Sequence, residues 1–308
     1  MARRRRQHGR PVNGILLLDK PQGRTSNAAL QQVKRLFNAR KAGHTGSLDP
    51  LATGMLPICF GEATKLSGFL LDSDKHYQAT IQLGITTRTG DAEGEVLERR
   101  DSSMVTRAML DEVLLDFNGV IDQVPPMHSA LKQNGQPLYK LAHQGIEVER
   151  QSRQVTIHDL QLLSFEGDRL EISVHCSKGT YIRVLAEDIG ERLGCGGHIA
   201  ALRRDGVGTF DVQRMVTMEQ LEALYEEQPH DFGALDALLL GPDEALMDWP
   251  EIRLADDVAY FLKRGQPVLV PKIPSQGWVR VYAVPERFLG VGHMLDDGRL
   301  APKRLLSM

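Results

Sequence analysis

Gly43-His44-Thr45-Gly46-Ser47-Leu48-Asp49-Pro50-Leu51-Ala52-Thr53-Gly54 sets one carboxylate in a segment too rich in glycine and proline to read as an ordinary helix or strand. Gly43, Gly46 and Gly54 permit backbone angles or close approaches that a side chain forbids, and Pro50 fixes the turn directly after the acid. The segment reads as a loop built to hold something, with Asp49 as candidate nucleophile. An isolated Asp-Pro pair is an ordinary turn signal, so the surrounding residues carry the weight.

On the N-terminal side, Gly14 to Leu18 reads as a short buried strand. Ser26 reads as the cap of a helix whose apolar residues Leu30, Val33, Leu36 and Phe37 recur at helical spacing. Lys34, Arg35, Arg40 and Lys41 enrich its end, where the macrodipole favours cations and phosphate contacts are feasible. Beyond the loop, Glu62 to Leu71 gives a shorter helical pattern, broken by Asp72-Ser73-Asp74. In His76 to Leu83, simple alternation puts Tyr77, Ala79, Ile81 and Leu83 on one strand face.

Thr106 to Phe117 reads as an amphipathic scaffold helix with Met109, Leu110, Val113, Leu114 and Phe117 on one side. The stretch from Pro125 to Arg153 is polar, basic and rich in turn residues, the composition of a surface excursion. Leu170, Ile172, Val174 and Cys176 alternate as a strand; Ile182, Leu185, Ile189 and Leu193 then follow at helical spacing up to Gly194. Tyr181 and Arg183 fall at this strand-to-helix junction, where rigid elements on both sides fix a side chain's direction. Near Pro250 the composition changes again. Trp278 to Val284 and Leu289 to Leu295 read as strands, and Asp297-Gly298 as a hairpin turn, so a small, mostly β unit closes the chain.

The 308 residues, 42% hydrophobic and 25% charged, allow one large domain and a small one. The apolar runs are too short for a membrane span and no signal peptide follows the basic start, so a soluble cytoplasmic protein is expected. Cys59, Cys176 and Cys195 are odd in number and scattered, which fits reduced thiols. Cys195-Gly196-Gly197-His198 offers two metal ligands without a second pair, so a structural loop is the better reading, and no metal is expected. The net charge of −3 hides an asymmetry: residues 1–44 hold 11 Lys or Arg against Asp19, whereas residues 215–257 hold 12 Asp or Glu against Arg253. A basic face therefore remains for phosphates. Residues 1–10, with Arg3-Arg4-Arg5-Arg6, read as a disordered solvated tail, with loose phosphate contact as the functional alternative.

Taken together, residues 43–65 resemble the catalytic segment of bacterial tRNA pseudouridine synthases of the TruB family. Gly14-Ile15-Leu16-Leu17-Leu18-Asp19-Lys20-Pro21 resembles the family's first motif and Gly179-Thr180-Tyr181-Ile182-Arg183 its third. The resemblance implies an α/β (α+β) fold with a central, mainly antiparallel mixed sheet over about residues 11–250. It implies an RNA-clasping insertion at about 125–153. Phe288-Leu289-Gly290-Val291-Gly292 with Leu300-Ala301-Pro302-Lys303-Arg304-Leu305 resembles a PUA domain, an RNA-binding barrel placed at 251–308. The implied activity is isomerisation of uridine 55 in the T loop of tRNA.

That reaction breaks an N-glycosidic bond, turns the base and joins C5 to the sugar, so it needs no redox cofactor. By the resemblance Asp49 attacks the flipped-out nucleotide, Arg183 pairs with it and Lys20 supports the site. Tyr77 stacks on the base, Tyr181 and Leu202 line the pocket, and His44 helps hold the T loop. From pattern alone, Tyr77 and Leu202 read as core, His44 as a structural hydrogen-bonding residue and Arg183 as a helix-surface residue. Lys65 reads equally as a solvated helix residue. An Arg beside the acid is physically apt: burial raises a carboxylate's pKa, and a guanidinium opposes that shift.

Three rivals remain. A phosphate-cradling nucleotidase lacks the Gly-Lys-Ser/Thr ending of a P-loop. A noncatalytic RNA-binding protein or tRNA chaperone would have no need of Asp49. A guide-RNA-dependent relative works within a multiprotein particle, whereas Pro125 to Arg153 resembles the standalone bacterial branch. The expectation is activity on tRNA without guide RNA, obligatory protein partner, cofactor or metal.

Overall fold

Leu16 and Leu18 turn their side chains into one hydrophobic core while Ile15 and Leu17, between them, enter a second. Alternate residues of a strand point to opposite faces, so an unbroken apolar run marks a strand covered on both sides. The computed structural model describes residues 9–133, 135–270 and 277–307. The chain begins with β1 (Gly14–Lys20), α1 (Ser26–Leu36), β2 (Ala42–His44) and β3 (Thr53–Phe60), and a 3-10 turn over Gly61–Lys65 leads to α2 (Ser67–Asp72). Next come β4 (Lys75–Leu83), the hairpin β5 (Ile85–Thr87) and β6 (Val96–Arg99), α3 (Arg107–Asp116) and β7 (Gly119–Gln123). The excursion carries β8 (Lys132–Gln133), β9 (Gln136–Pro137) and α4 (Leu138–His143). There follow β10 (Arg153–Glu166), β11 (Arg169–Cys176), α5 (Ile182–Arg192), β12 (Gly197–Val207), β13 (Val216–Thr217), α6 (Met218–Glu227) and α7 (Gly233–Asp236). The C-terminal part comprises β14 (Glu251–Leu254), α8 (Asp256–Lys263), β15 (Val268–Leu269), β16 (Gly277–Ala283), β17 (Arg287–Met294) and β18 (Arg299–Leu305).

Among the described residues, nine strands form the main sheet in the order β13-β1-β3-β12-β4-β11-β10-β7, with β2 paired to β3. The β1–β13 and β3–β12 pairs are parallel and the remaining ladders antiparallel, which is the mixed, mainly antiparallel sheet expected. One face packs on α1, α3, α5 and α6 around Val33, Leu56, Ile58, Ile81, Ile172 and Leu185. The second sheet, β14-β16-β17-β18-β15, has its own core, including Val279, Val281, Leu262 and Leu300, and curls as a PUA-like unit does. Tyr282, Phe288 and Val291 of this unit join Ile15, Leu17, Met55 and Cys59 in the second core, so the two sheets share a buried boundary. Lys65 donates to the Leu305 carbonyl at 2.9 Å and pairs with Glu62, placing it at that boundary as a half-buried tie.

Several sequence expectations change in detail. Gly43-His44 and Thr53-Gly54 are strand residues, and the expected loop shrinks to the turns between β2 and β3. β3 itself was hidden because Met55 and Cys59 serve one core while Leu56, Ile58 and Phe60 serve the other, and because Pro57 interrupts the apolar run. Thr25, not Ser26, caps α1, accepting from the Ala28 N–H at 3.1 Å. Met109 is 39% exposed, so the buried stripe of α3 is Leu110 and Leu114, flanked by Val113 and Phe117. The tail expected at residues 1–10 lies outside the described residues up to residue 8. Arg10 is held by Asp236, by the Phe37 carbonyl at 2.8 Å and by the Phe232 ring at 4.2 Å. At that point the acidic section does cancel a basic residue locally.

Candidate active site

Asp49 sits in a turn whose backbone is fastened on both sides. Before it, the buried Ser26 hydroxyl accepts from the Leu48 N–H at 2.7 Å and donates to the Leu48 carbonyl at 2.9 Å. After it, the Pro50 carbonyl accepts from the Gly23 N–H at 2.8 Å and from Lys20 Nζ at 3.4 Å. Lys20 is fully buried and also donates to the carbonyls of Pro21 and Arg24. Burial lowers its pKa to about 8, against the opposing pull of Asp49. Both anchors come from β1, its following turn and α1, so the strand-turn-helix unit positions the acid.

Arg183 reaches the same place from the start of α5. Its Nε lies 3.0 Å from Asp49 Oδ2, and its side chain is 7% exposed against 41% for Asp49. Nη1 donates to the Thr89 carbonyl at 2.9 Å, Nη2 to the His128 carbonyl at 2.7 Å, and the buried Asp91 carboxylate stands 3.7 Å from Nη1. The guanidinium is thus shared between two acids and two carbonyls. Burial raises the Asp49 pKa; Arg183 opposes it, Asp91 adds to it, and the net displacement is upward. The carboxylate is a stronger base and nucleophile than an exposed Asp while the guanidinium limits the cost of its ionisation.

Tyr77 is partly buried against the main core, in register with Arg204 across the β4–β12 ladder. Burial raises its phenol pKa, with Arg204 opposing and the charge of Asp49 contributing upward. Arg204 is 1% exposed and donates to the carbonyls of Met55 at 2.8 Å and Gly46 at 3.2 Å. It also contributes, after burial, to a lowered pKa at His44, which keeps that imidazole neutral. The buried His44 Nδ1 has no hydrogen-bond partner among the described residues, leaving it available to a ligand. Leu202 is in register with Ala79, on the face of β12 that carries Arg204, and is 9% exposed within the main core.

Tyr181 caps α5 by position, without a side-chain capping bond. Its backbone N–H donates to Gln123 Oε1 at 3.0 Å and its carbonyl accepts from Gln123 Nε2 at 3.3 Å, while the Arg153 guanidinium lies 4.9 Å from its ring centre. The structure therefore gathers Asp49, Arg183, Lys20 and Tyr77, connects His44 through Arg204, and brings Tyr181 alongside as the second neighbour of Arg183 in sequence. Sequence reasoning missed Asp91, Gln123 and Arg204. Each is a buried polar residue in an otherwise mixed pattern, and the contact that ties it to the site lies far away along the chain. The excursion also proves more than surface, since the His128 carbonyl holds Arg183.

Between the excursion and α5 lies a cleft of about 460 Å³ with Arg88, Arg150, His128 and Glu187 in its wall. Burial, with Asp188 next, pushes Glu187 up to about 7. Cys195 and His198 do not form a shared metal set: the thiol is buried near the Gly190 carbonyl, and His198 Nδ1 meets the Ile85 carbonyl at 2.9 Å.

A mixed sheet carrying a paired aspartate on the turn between two of its strands fits the pseudouridine synthase class that the motifs imply. The chain trace recurs in the solved structure of a Cbf5-Nop10-Gar1 complex, with a TM-score of 0.73 at 24% identity over 96% of this chain and 83% of that one. A structure of an H/ACA RNP bound to a substrate RNA containing 2'-deoxyuridine gives 0.73 at 22% identity, over 100% of this chain and 92% of that one. These likenesses show the fold. Residues 34–182 match the TruB family pseudouridylate synthase N terminal domain. Residues 183–247 match the tRNA pseudouridylate synthase B C-terminal domain, and residues 250–306 the C-terminal part of pseudouridine synthase II TruB. The tRNA pseudouridine synthase B of Nitrosococcus oceani is 55% identical over 99% of this chain and 98% of its own. That of Ectopseudomonas mendocina is 57% identical over 96% of each chain. The chain belongs to the TruB family of pseudouridylate synthases.

Proposed function

We propose that this chain isomerises uridine 55 in the T loop of tRNA to pseudouridine, with Asp49 as the covalent partner of a nucleotide turned out of its stack. The observation that carries the assignment of Asp49 is its ion pair with the almost fully buried Arg183 on a turn fastened at Leu48 and Pro50. A carboxylate held this way meets an incoming reactive carbon without reorganising, and covalent attachment divides one difficult step into two easier ones. Extracting the base costs unstacking energy, which an aromatic platform returns. Tyr77 stacks on the extracted base, Tyr181 and Leu202 line its pocket, and His44 contacts the T loop. Arg183 keeps Asp49 ionised, and Lys20 holds the turn.

The exposed Arg35 in the last turn of α1 and Arg40 and Lys41 beyond it, with the basic residues of the excursion, meet phosphates. Residues 11–250 act as the catalytic domain, 125–153 as the clasp on the RNA and 251–308 as the PUA-like RNA-binding domain. Among the described residues, no helix is long and apolar enough to cross a membrane. We place the enzyme in the cytoplasm, acting without guide RNA, obligatory protein partner or cofactor.

Incubating the purified chain with an unmodified tRNA transcript and mapping pseudouridine by nucleotide tests this reading. Conversion confined to uridine 55 supports it. Conversion elsewhere, or only after adding a guide RNA and further proteins, overturns it.

A further inference from the structure

Three imidazoles stand in a row on the solvent side of the main sheet, on strands β4, β11 and β10. His76 and His175 are directly opposed across the β4–β11 ladder, and their rings stack at 3.9 Å with an 11° angle between planes. His158 would not normally add a second side chain opposite His175. It does so because β10 bulges there: Ile157 pairs with Cys176 and Asp159 with His175, leaving His158 as the extra residue. A bulge re-aims a side chain and interrupts a ladder, so this one needs a local reason. Its result is that His158 lies 4.7 Å, centre to centre, from His175 and places Nε2 3.2 Å from Asp74 Oδ2.

We propose that Asp74, His158 and His175 form an open three-ligand site for a divalent transition metal ion such as Zn²⁺, on the sheet face opposite Tyr77. One ligand atom from each residue lies within 4.8 Å of the other two. Two ligand atoms bound to Zn²⁺ at about 2.0–2.1 Å and the tetrahedral angle stand about 3.4 Å apart, which the Asp74–His158 pair already meets. His175 reaches the third position by a small side-chain adjustment. One carboxylate and two imidazoles are a ligand set that suits Zn²⁺ and leaves a fourth position for water. The stacked His76 restricts the plane of the ligand ring.

Asp74 leads into β4 only three residues before Tyr77, and its carbonyl accepts from the Gly208 N–H at 2.9 Å. A bound ion thus fastens the entry of the Tyr77 strand to the adjoining β11 and, beyond it, to β10. The site lies on the sheet face opposite Tyr77, so its occupancy is independent of the isomerisation chemistry.

The test is calorimetric titration of the untagged full chain with ZnCl₂, alongside His158→Gln, His175→Gln and, as control, the exposed His230→Gln. The expected result is one saturable equivalent for the wild type and the control, weakened at least tenfold in each of the other two. ZnCl₂ should raise the melting temperature of wild type and control but not of His175→Gln, whose far-ultraviolet circular dichroism should match wild type. Absence of saturable binding by the wild type overturns the proposal and leaves Asp74–His158 as an ordinary ion pair. So does undiminished binding by the two ligand variants. If a ligand variant fails to fold, wild-type chain treated with a histidine-modifying reagent decides. Zn²⁺ protection of His158 and His175 in peptide mapping supports the site, and equal labelling with and without Zn²⁺ overturns it.

Discussion

Arg183 spends its Nε on Asp49 Oδ2 at 3.0 Å and both terminal nitrogens on fixed carbonyls, at 2.9 Å to Thr89 and 2.7 Å to His128. It cannot turn away from the acid without breaking two hydrogen bonds in a buried place. The pair is therefore set before any substrate arrives, and this pre-organisation is what the role proposed for the acid requires.

Arg183→Gln removes the charge that opposes desolvation of Asp49 and leaves the buried Asp91 without its compensating cation. Stability should fall by about 3–5 kcal/mol, read by urea denaturation. The Asp49 pKa, already displaced upward, rises further, so the acid limb of the pH–kcat profile moves to higher pH. Arg183→Lys restores charge without the fork and should recover stability more than kcat. An unmoved acid limb in Arg183→Gln would contradict the pairing.

Gln123 is fully buried and clamps both backbone groups of Tyr181. Gln123→Leu leaves the part-buried Tyr181 N–H without its acceptor, at a cost of about 1 kcal/mol. With Tyr181 loosened, kcat should fall while the affinity for tRNA, measured by filter binding, stays close to wild type. A loss confined to binding would show that the clamp serves docking instead.

Gly54 and Gly46 both have positive φ, at +97° and +103°, yet their substitutions should differ sharply. A Cβ at Gly54 collides with the backbone of Arg204, whereas at Gly46 the nearest atom is Arg204 Nη1 at 3.6 Å. Gly46→Ala should cost only the left-handed strain of about 1–2 kcal/mol. Gly54→Ala forces β3 away from β12 and should fail to yield soluble folded protein. Comparable thermal melts for the two would contradict the close β3–β12 approach.

Lys20 bears on pH dependence. Its folded pKa of about 8 lies below the ordinary 10.5, so the fold bears a charging penalty in full below pH 8 and is released from it as pH rises to 10.5. Lys20→Met lacks that penalty. Relative to wild type the variant should lose about 3 kcal/mol of stability advantage between pH 8 and pH 10.5, measured by denaturant titration at each pH. At pH 7 its activity should drop, because the Pro50 carbonyl loses one of its two donors. A pH-independent stability difference would mean that Lys20 titrates normally.

The site was legible in the sequence where chemistry is written locally. Asp49 stands among glycines and a proline that only a special turn needs, and Tyr181 and Arg183 mark a strand-to-helix change that the structure places at the start of α5. What escaped was non-local. Gln123 is 58 residues from the backbone it clamps, and Arg204 is 149 residues from the Met55 carbonyl. Neither distance leaves a periodic trace. β3 escaped for a different reason: alternation identifies a strand with one wet face, and this one is buried on both. Thr25 and Ser26 were exchangeable as caps by type, and only the Leu48 backbone decides that Ser26 is needed elsewhere.

Asp49→Asn changes one oxygen to nitrogen while keeping the shape of the side chain, and so tests the central claim most directly. Pseudouridine formation on a tRNA transcript is measured together with equilibrium binding of the same RNA. Formation should fall by at least about 10⁴-fold, with binding close to wild type. Turnover near the wild-type rate, in a preparation whose residue 49 is verified as Asn by mass spectrometry, would contradict the account.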